Sequence, residues 1–159
     1  MNFGTIGGTP SRVGVLNAVG TAAKPITFTS AEANPAPGDW IGLWLSTATG
    51  SRLDDVNVEY AGAPSGLVSG NCKPTDTRDN AALPVGNFED TYVPPADLVT
   101  HSRIANSAAY GINAMWRAPT FNAPHLTAHN VFQNNAQCRQ TFNRTTTGSC
   151  PAGGGCTAN

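Results

Sequence analysis

The sequence predicts an all-β solenoid: a single domain built as a coil of short parallel strands. Three observations carry this reading. Apolar residues recur with period 2, helical periodicity is nearly absent, and two segments repeat at a fixed offset. The alternating segments, in chain order, are "PITFTS" at 25–30, "WIGLWLS" at 40–46, "LDDVNVEY" at 53–60, "LVTHSRIANS" at 98–107 and "LTAHNVFQNN" at 126–135. In the first, Ile26 and Phe28 share a face. In the second, Ile41, Leu43 and Leu45 share one and leave Trp44 on the other.

The last two segments superpose at an offset of 28 residues. Leu98 falls on Leu126, His101 on His129, Ile104 on Phe132, Asn106 on Asn134 and Ala108 on Ala136. "VNVEYAG" resembles the same unit, with Val58 in the place of Ile104. Stacked strands about 4.8 Å apart would set like side chains in inward columns. Asn106, Asn130, Asn134 and Asn135 suit turn corners, where an amide reaches the backbone of an adjacent turn. Such a coil accepts loops of any length, because each projects sideways.

Bulk composition narrows the function. The chain has 159 residues, enough for one domain with a real core. Nine Lys and Arg against ten Asp and Glu give a net charge of −1, which offers no case for nucleic acid or an anionic membrane. Seventeen Gly and twelve Pro favour turns over long helices. No apolar run approaches the ~20 residues of a membrane span.

"GTAAKPITFTS", "APGDWIGLWL" and "LDDVNVEYAGA" together resemble the bacterial right-handed parallel β-helix surface proteins, in what would be their C-terminal portion. "HSRIANSAAYGINA" is similar to their later turns, and the likeness covers most of residues 13 to 137. The resemblance implies a right-handed parallel β-helix over 1–137, a secreted or surface-attached location, and no single shared reaction. Within it, 63–97 reads as a lateral loop or a short irregular turn, and 138–159 as a Cys/Gly/Thr-rich tail. The first recognisable turn begins almost at Met1, and no export signal is visible, so the chain is expected to be trimmed or part of a longer β-helix.

Cys72, Cys138, Cys150 and Cys156 form no C-x-x-C pair and have no His near the tail, which argues for disulfides rather than zinc and for an oxidising compartment. Three pairings exist; the one favoured here joins Cys150 to Cys156 and Cys72 to Cys138. These bonds would tie the tail to the coil.

Candidate chemistry is sparse. Asp76, Asp79, Glu89 and Asp90, with Arg78 and Asn80, offer oxygens for a structural Ca²⁺ or are plain solvated loop charges. Asp55 and Glu59 should share an outer face, with Asp54 directed elsewhere or at a bend; the pair could serve glycoside hydrolysis or simply protect an edge. His101 and His129 should stack on neighbouring turns, with Arg103 beyond. That set could be a lyase-like base and charge partner, a two-His metal site, or the product of repeat symmetry alone. Trp44 either presents its ring to a sugar or is covered by 63–97, whereas Trp40 and Trp116 should pack inward. "NRT" at 143–145 fits an N-glycosylation sequon.

The expected function is a non-catalytic extracellular or cell-surface module, adhesive or in contact with a surface glycan or polysaccharide. The alternative is a polysaccharide lyase or glycoside hydrolase using Asp55, Glu59, His101 and Arg103 on a lateral face.

Overall fold

A computed structural model describes residues 2–3, 14–45, 50–66, 72, 80–86, 93–121, 123–152 and 155–157. Among them there are strands and turns and no helix. The longest sheet runs β1 (Asn2–Phe3), β4 (Trp44–Leu45), β7 (Ala81–Gly86), β10 (Tyr110–Met115), β13 (Gln140–Thr141) and β15 (Cys156–Thr157). A second sheet holds β2 (Asn17–Val19), β5 (Arg52–Asp54) and β8 (Val99–Thr100). A third holds β3 (Ile26–Phe28), β6 (Val56–Glu59), β9 (Arg103–Ala105) and β12 (Val131–Gln133). A short pair joins β11 (Arg117–Ala118) to β14 (Arg144–Thr145). Every pairing is parallel except β13 with β15.

From β1 to β9 the chain visits the three large sheets in a fixed cycle, long then second then third, and each circuit pairs with the one before it. After β10, β11 takes the place of a second-sheet strand before β12, whereas β14 follows β13 and leads back to β15 of the long sheet. Register makes the columns that the repeat anticipates. Phe28, Val58, Ile104 and Phe132 are successive partners across the third sheet. Val58 and Ile104 are fully buried, while Phe28 and Phe132, at the ends of the column, are half-buried against the same core. Ala18, Leu53 and Val99 make the matching column in the second sheet. Burial of each large aliphatic side chain contributes about 1.5–3 kcal/mol, so the stacked columns are the main source of cohesion.

Left-handed backbone turns the chain at both ends of the third sheet. Asp55, His101 and His129 have φ of 52°, 48° and 60°, and Tyr60, Asn106 and Asn134 have φ of 60°, 55° and 53°. Asn, Asp and His tolerate this region better than most residues. Asparagine amides then tie the circuits together. Asn130 Oδ1 accepts from the Ser102 amide at 2.8 Å and its Nδ2 donates to Val99 O at 2.7 Å. Asn135 repeats the device on Ser107 N and Ile104 O. Asn134 donates to the Asn106 side chain at 3.3 Å.

Three expectations change. The stretch 63–97 includes β7, a fully buried strand in the middle of the long sheet, so it is more than a lateral loop. The tail contributes β13 and β14 in parallel before it reverses into β15. The disulfides are Cys72–Cys150 and Cys138–Cys156, not the favoured pairing. The antiparallel placement of β15 on β13 brings Cys156 back over Cys138, and Cys72 reaches the tail through a bridge to Phe142.

Alternation also fails around β4. Gly42 has φ of 126°, and a side-chain carbon there would lie 2.7 Å from Ala81 O. That glycine lets the chain press onto β7. Leu43, Trp44 and Leu45 are consecutively buried, whereas Ile41 is 48% exposed.

Candidate functional site

The outer surface of the third sheet collects most of the polar candidates. Thr27, Asn57, Arg103 and Val131 are partners in one row, and Glu59, Ala105 and Gln133 in another. The Asn57 amide donates to Thr27 Oγ1 at 3.3 Å. Arg103 forms an ion pair with Glu59 through Nη1 and donates from Nε to Gln133 Oε1 at 2.9 Å. One guanidinium therefore links strands β6, β9 and β12.

A second cluster lies at the bend between the second and third sheets. Asp54 Oδ1 accepts from Thr100 Oγ1 at 2.8 Å and faces His101 Nδ1 at 2.9 Å, and Arg52 reaches Oδ2 at 2.7 Å. The His101 contact, then the Thr100 hydroxyl, hold this carboxyl below the ordinary Asp value. Strand parity places Asp55 on the same outer face as Glu59. Asp55 instead occupies the left-handed bend, and Asp54 supplies the carboxylate that engages His101. Of the four residues of the catalytic alternative, Glu59 and Arg103 form an ion pair, while His101 engages Asp54.

His101 and His129 stack as the offset implied, with ring centroids 6.5 Å apart at 43°. The third histidine, His125, lies exposed in the turn before β12.

Of the two readings of Trp44, an open ring or cover by 63–97, the second fits: it is 8% exposed and its indole donates to Gly86 O at 3.0 Å. The half-buried aromatics are elsewhere. Thr27, Phe28, Thr29, Trp40 and Leu43 line a shallow groove of about 310 Å³ at the β3 edge. The Trp40 indole is fixed there by donation to Glu59 O at 2.8 Å. The Gly-Asp-Trp corner in the sequence was the available signal for this position. Trp116 is buried as expected, donating to Ala123 O at 2.7 Å.

Asp76, Asp79, Glu89 and Asp90 lie outside the described residues. Asn80 is described: it is buried, and its Oδ1 accepts from the Ser65 amide at 2.9 Å. Among the described residues no group of three or more His, Cys, Asp or Glu is placed to hold a metal ion. The sequon asparagine, Asn143, is fully buried and spends its amide on Thr120 O, Arg144 O and Ala123 N, which leaves nothing for a sugar in the folded chain.

No helix among the described residues is long and apolar enough to cross a membrane. Comparison with protein-family models, curated proteins and solved structures returns no match.

Proposed function

We propose that the chain is a right-handed parallel β-helix module of the extracellular space or cell surface, non-catalytic, whose third-sheet face contacts a glycan. The repeated cycle of β1 to β9 through three sheets, parallel in all but the β13–β15 pairing, supports the coiled reading. Right-handedness follows from the strong preference of parallel crossovers. Two disulfides support an oxidising location.

The observation that carries the ligand class is the juxtaposition of a flat polar ladder with an aromatic groove. Thr27, Asn57, Glu59, Arg103 and Gln133 present donors and acceptors at strand spacing, and Trp40 and Phe28 edge the groove beside Thr27. Sugars offer the same combination, hydroxyls at the rim and an apolar ring face. Catalysis is disfavoured because a glycosidase needs one carboxyl kept as a proton donor. Glu59 and Asp54 instead face cationic or hydrogen-bond-donating partners that favour the charged form.

A polysaccharide panel tests the reading. The expected result is saturable binding to a subset of polymers, weakened at least about tenfold in Trp40→Ala and in Asn57→Ala, with no release of reducing ends or unsaturated sugars. Absence of binding across the panel, or cleavage of any member, overturns it.

A further inference from the structure

The histidine pair at the bend is not used by the glycan face, and it has the makings of a site of its own. His101 and His129 occupy the same corner of successive circuits, tied by donation from the His101 amide to His129 O at 3.0 Å. Both lie on left-handed backbone, and both are exposed, with the His101 side chain 66% accessible. Their ring centroids are 6.5 Å apart. Two imidazole nitrogens sharing one ion at about 2.0–2.1 Å each stand roughly 3–4 Å apart, which rotation of two exposed side chains supplies.

A second observation points the same way. An ionised carboxylate can only accept, so the His101 Nδ1 that faces Asp54 carries a proton, and in the neutral ring the lone pair is then the one on Nε2. Asp54 is itself held in place by Thr100 and Arg52. A carboxylate on the far nitrogen of an imidazole is the arrangement that orients metal-binding histidines and raises their basicity. Among the described residues no ring nitrogen of His129 has a hydrogen-bond partner.

We propose that His101 and His129 together bind a divalent first-row transition ion, with Asp54 as the positioning residue behind His101. Two protein nitrogens leave the remaining positions to water or to a ligand group. Imidazole donors without thiolate select Cu²⁺, Ni²⁺ and Zn²⁺ over Ca²⁺ and Mg²⁺, with Cu²⁺ the tightest.

The test is titration of the untagged, disulfide-intact chain with Cu²⁺, Zn²⁺ and Ca²⁺ by calorimetry, with imidazole NMR signals followed for Zn²⁺. One ion of Cu²⁺ or Zn²⁺ should bind per chain, Cu²⁺ more tightly, shifting the His101 and His129 resonances together, while Ca²⁺ has no effect on them. Asparagine accepts the left-handed corner, so His101→Asn and His129→Asn keep the fold, which circular dichroism verifies, and each should abolish the joint shift. Asp54→Asn should weaken binding about 10–100-fold and move the His101 signals more than those of His129. His125→Asn should change nothing. Persistence of stoichiometric binding in folded His101→Asn or His129→Asn, or its loss in His125→Asn, overturns the proposal. The outcome does not depend on glycan binding, so each reading stands or falls alone.

Discussion

Ile104 is the direct register partner of Val58, although 46 residues separate them, and both side chains are shut away from solvent. Ile104→Ala should therefore destabilise the chain by about 2–5 kcal/mol in urea denaturation. A double-mutant cycle with Val58→Ala should return a coupling of about 0.5–3 kcal/mol. Strict additivity would mean that the two do not share a column.

The asparagine ties make a second prediction. Removal of the Asn130 amide orphans the Ser102 N–H and the carbonyls of Val99 and Leu126. Asn130→Ala should cost about 1–3 kcal/mol, and hydrogen exchange at the Ser102 amide should accelerate by a comparable factor. Unchanged protection there would place the tie elsewhere.

The two disulfides should differ in weight. Cys72–Cys150 closes a separation of 78 residues and Cys138–Cys156 one of 18. Loop-closure entropy assigns roughly 4–5 and 3 kcal/mol respectively. Paired Ser replacements compared by denaturation check the order: the Cys72/Cys150 variant should be the less stable.

Acid sensitivity follows from Asp39. Its carboxylate accepts from the Ala36 amide at 2.9 Å and Ser30 Oγ at 2.6 Å, and these bonds, the backbone one first, lower its pKa below 3.8. The unfolded chain then binds more protons across that window. The contribution is complete above the unfolded value and disappears as pH falls through the folded one. Melting curves between pH 2 and 6 should fall at the acid end, and Asp39→Asn should flatten that fall.

Much of the strand layout was readable because it rests on short-range pattern and on one repeat. The 28-residue offset aligned Ile104 with Phe132, and register pairs them. What escaped depends on contacts between distant segments. Trp44 has outward parity, yet the long sheet is buried on both faces, as the continuous burial of β7 and β10 shows. Asp55 has the right parity for a strand face but falls on a left-handed bend, which hands the contact with His101 to Asp54. That bend leaves a trace in sequence: Asp55 and Tyr60, His101 and Asn106, His129 and Asn134 recur at one interval. The β7 strand was masked by its proline and by the polar residues around it. Pro84 sits opposite Asn113 in mid-sheet, a position that propensity alone would reject.

The reversed direction of β15 has an engineering consequence. A strand laid head-to-tail against β13 and stapled to it by sulfur closes that edge to another parallel neighbour. Lengthening the molecule by duplicating its 28-residue unit would thus have to splice the copy between existing circuits. Appended after the staple, the copy would find no template on the long sheet.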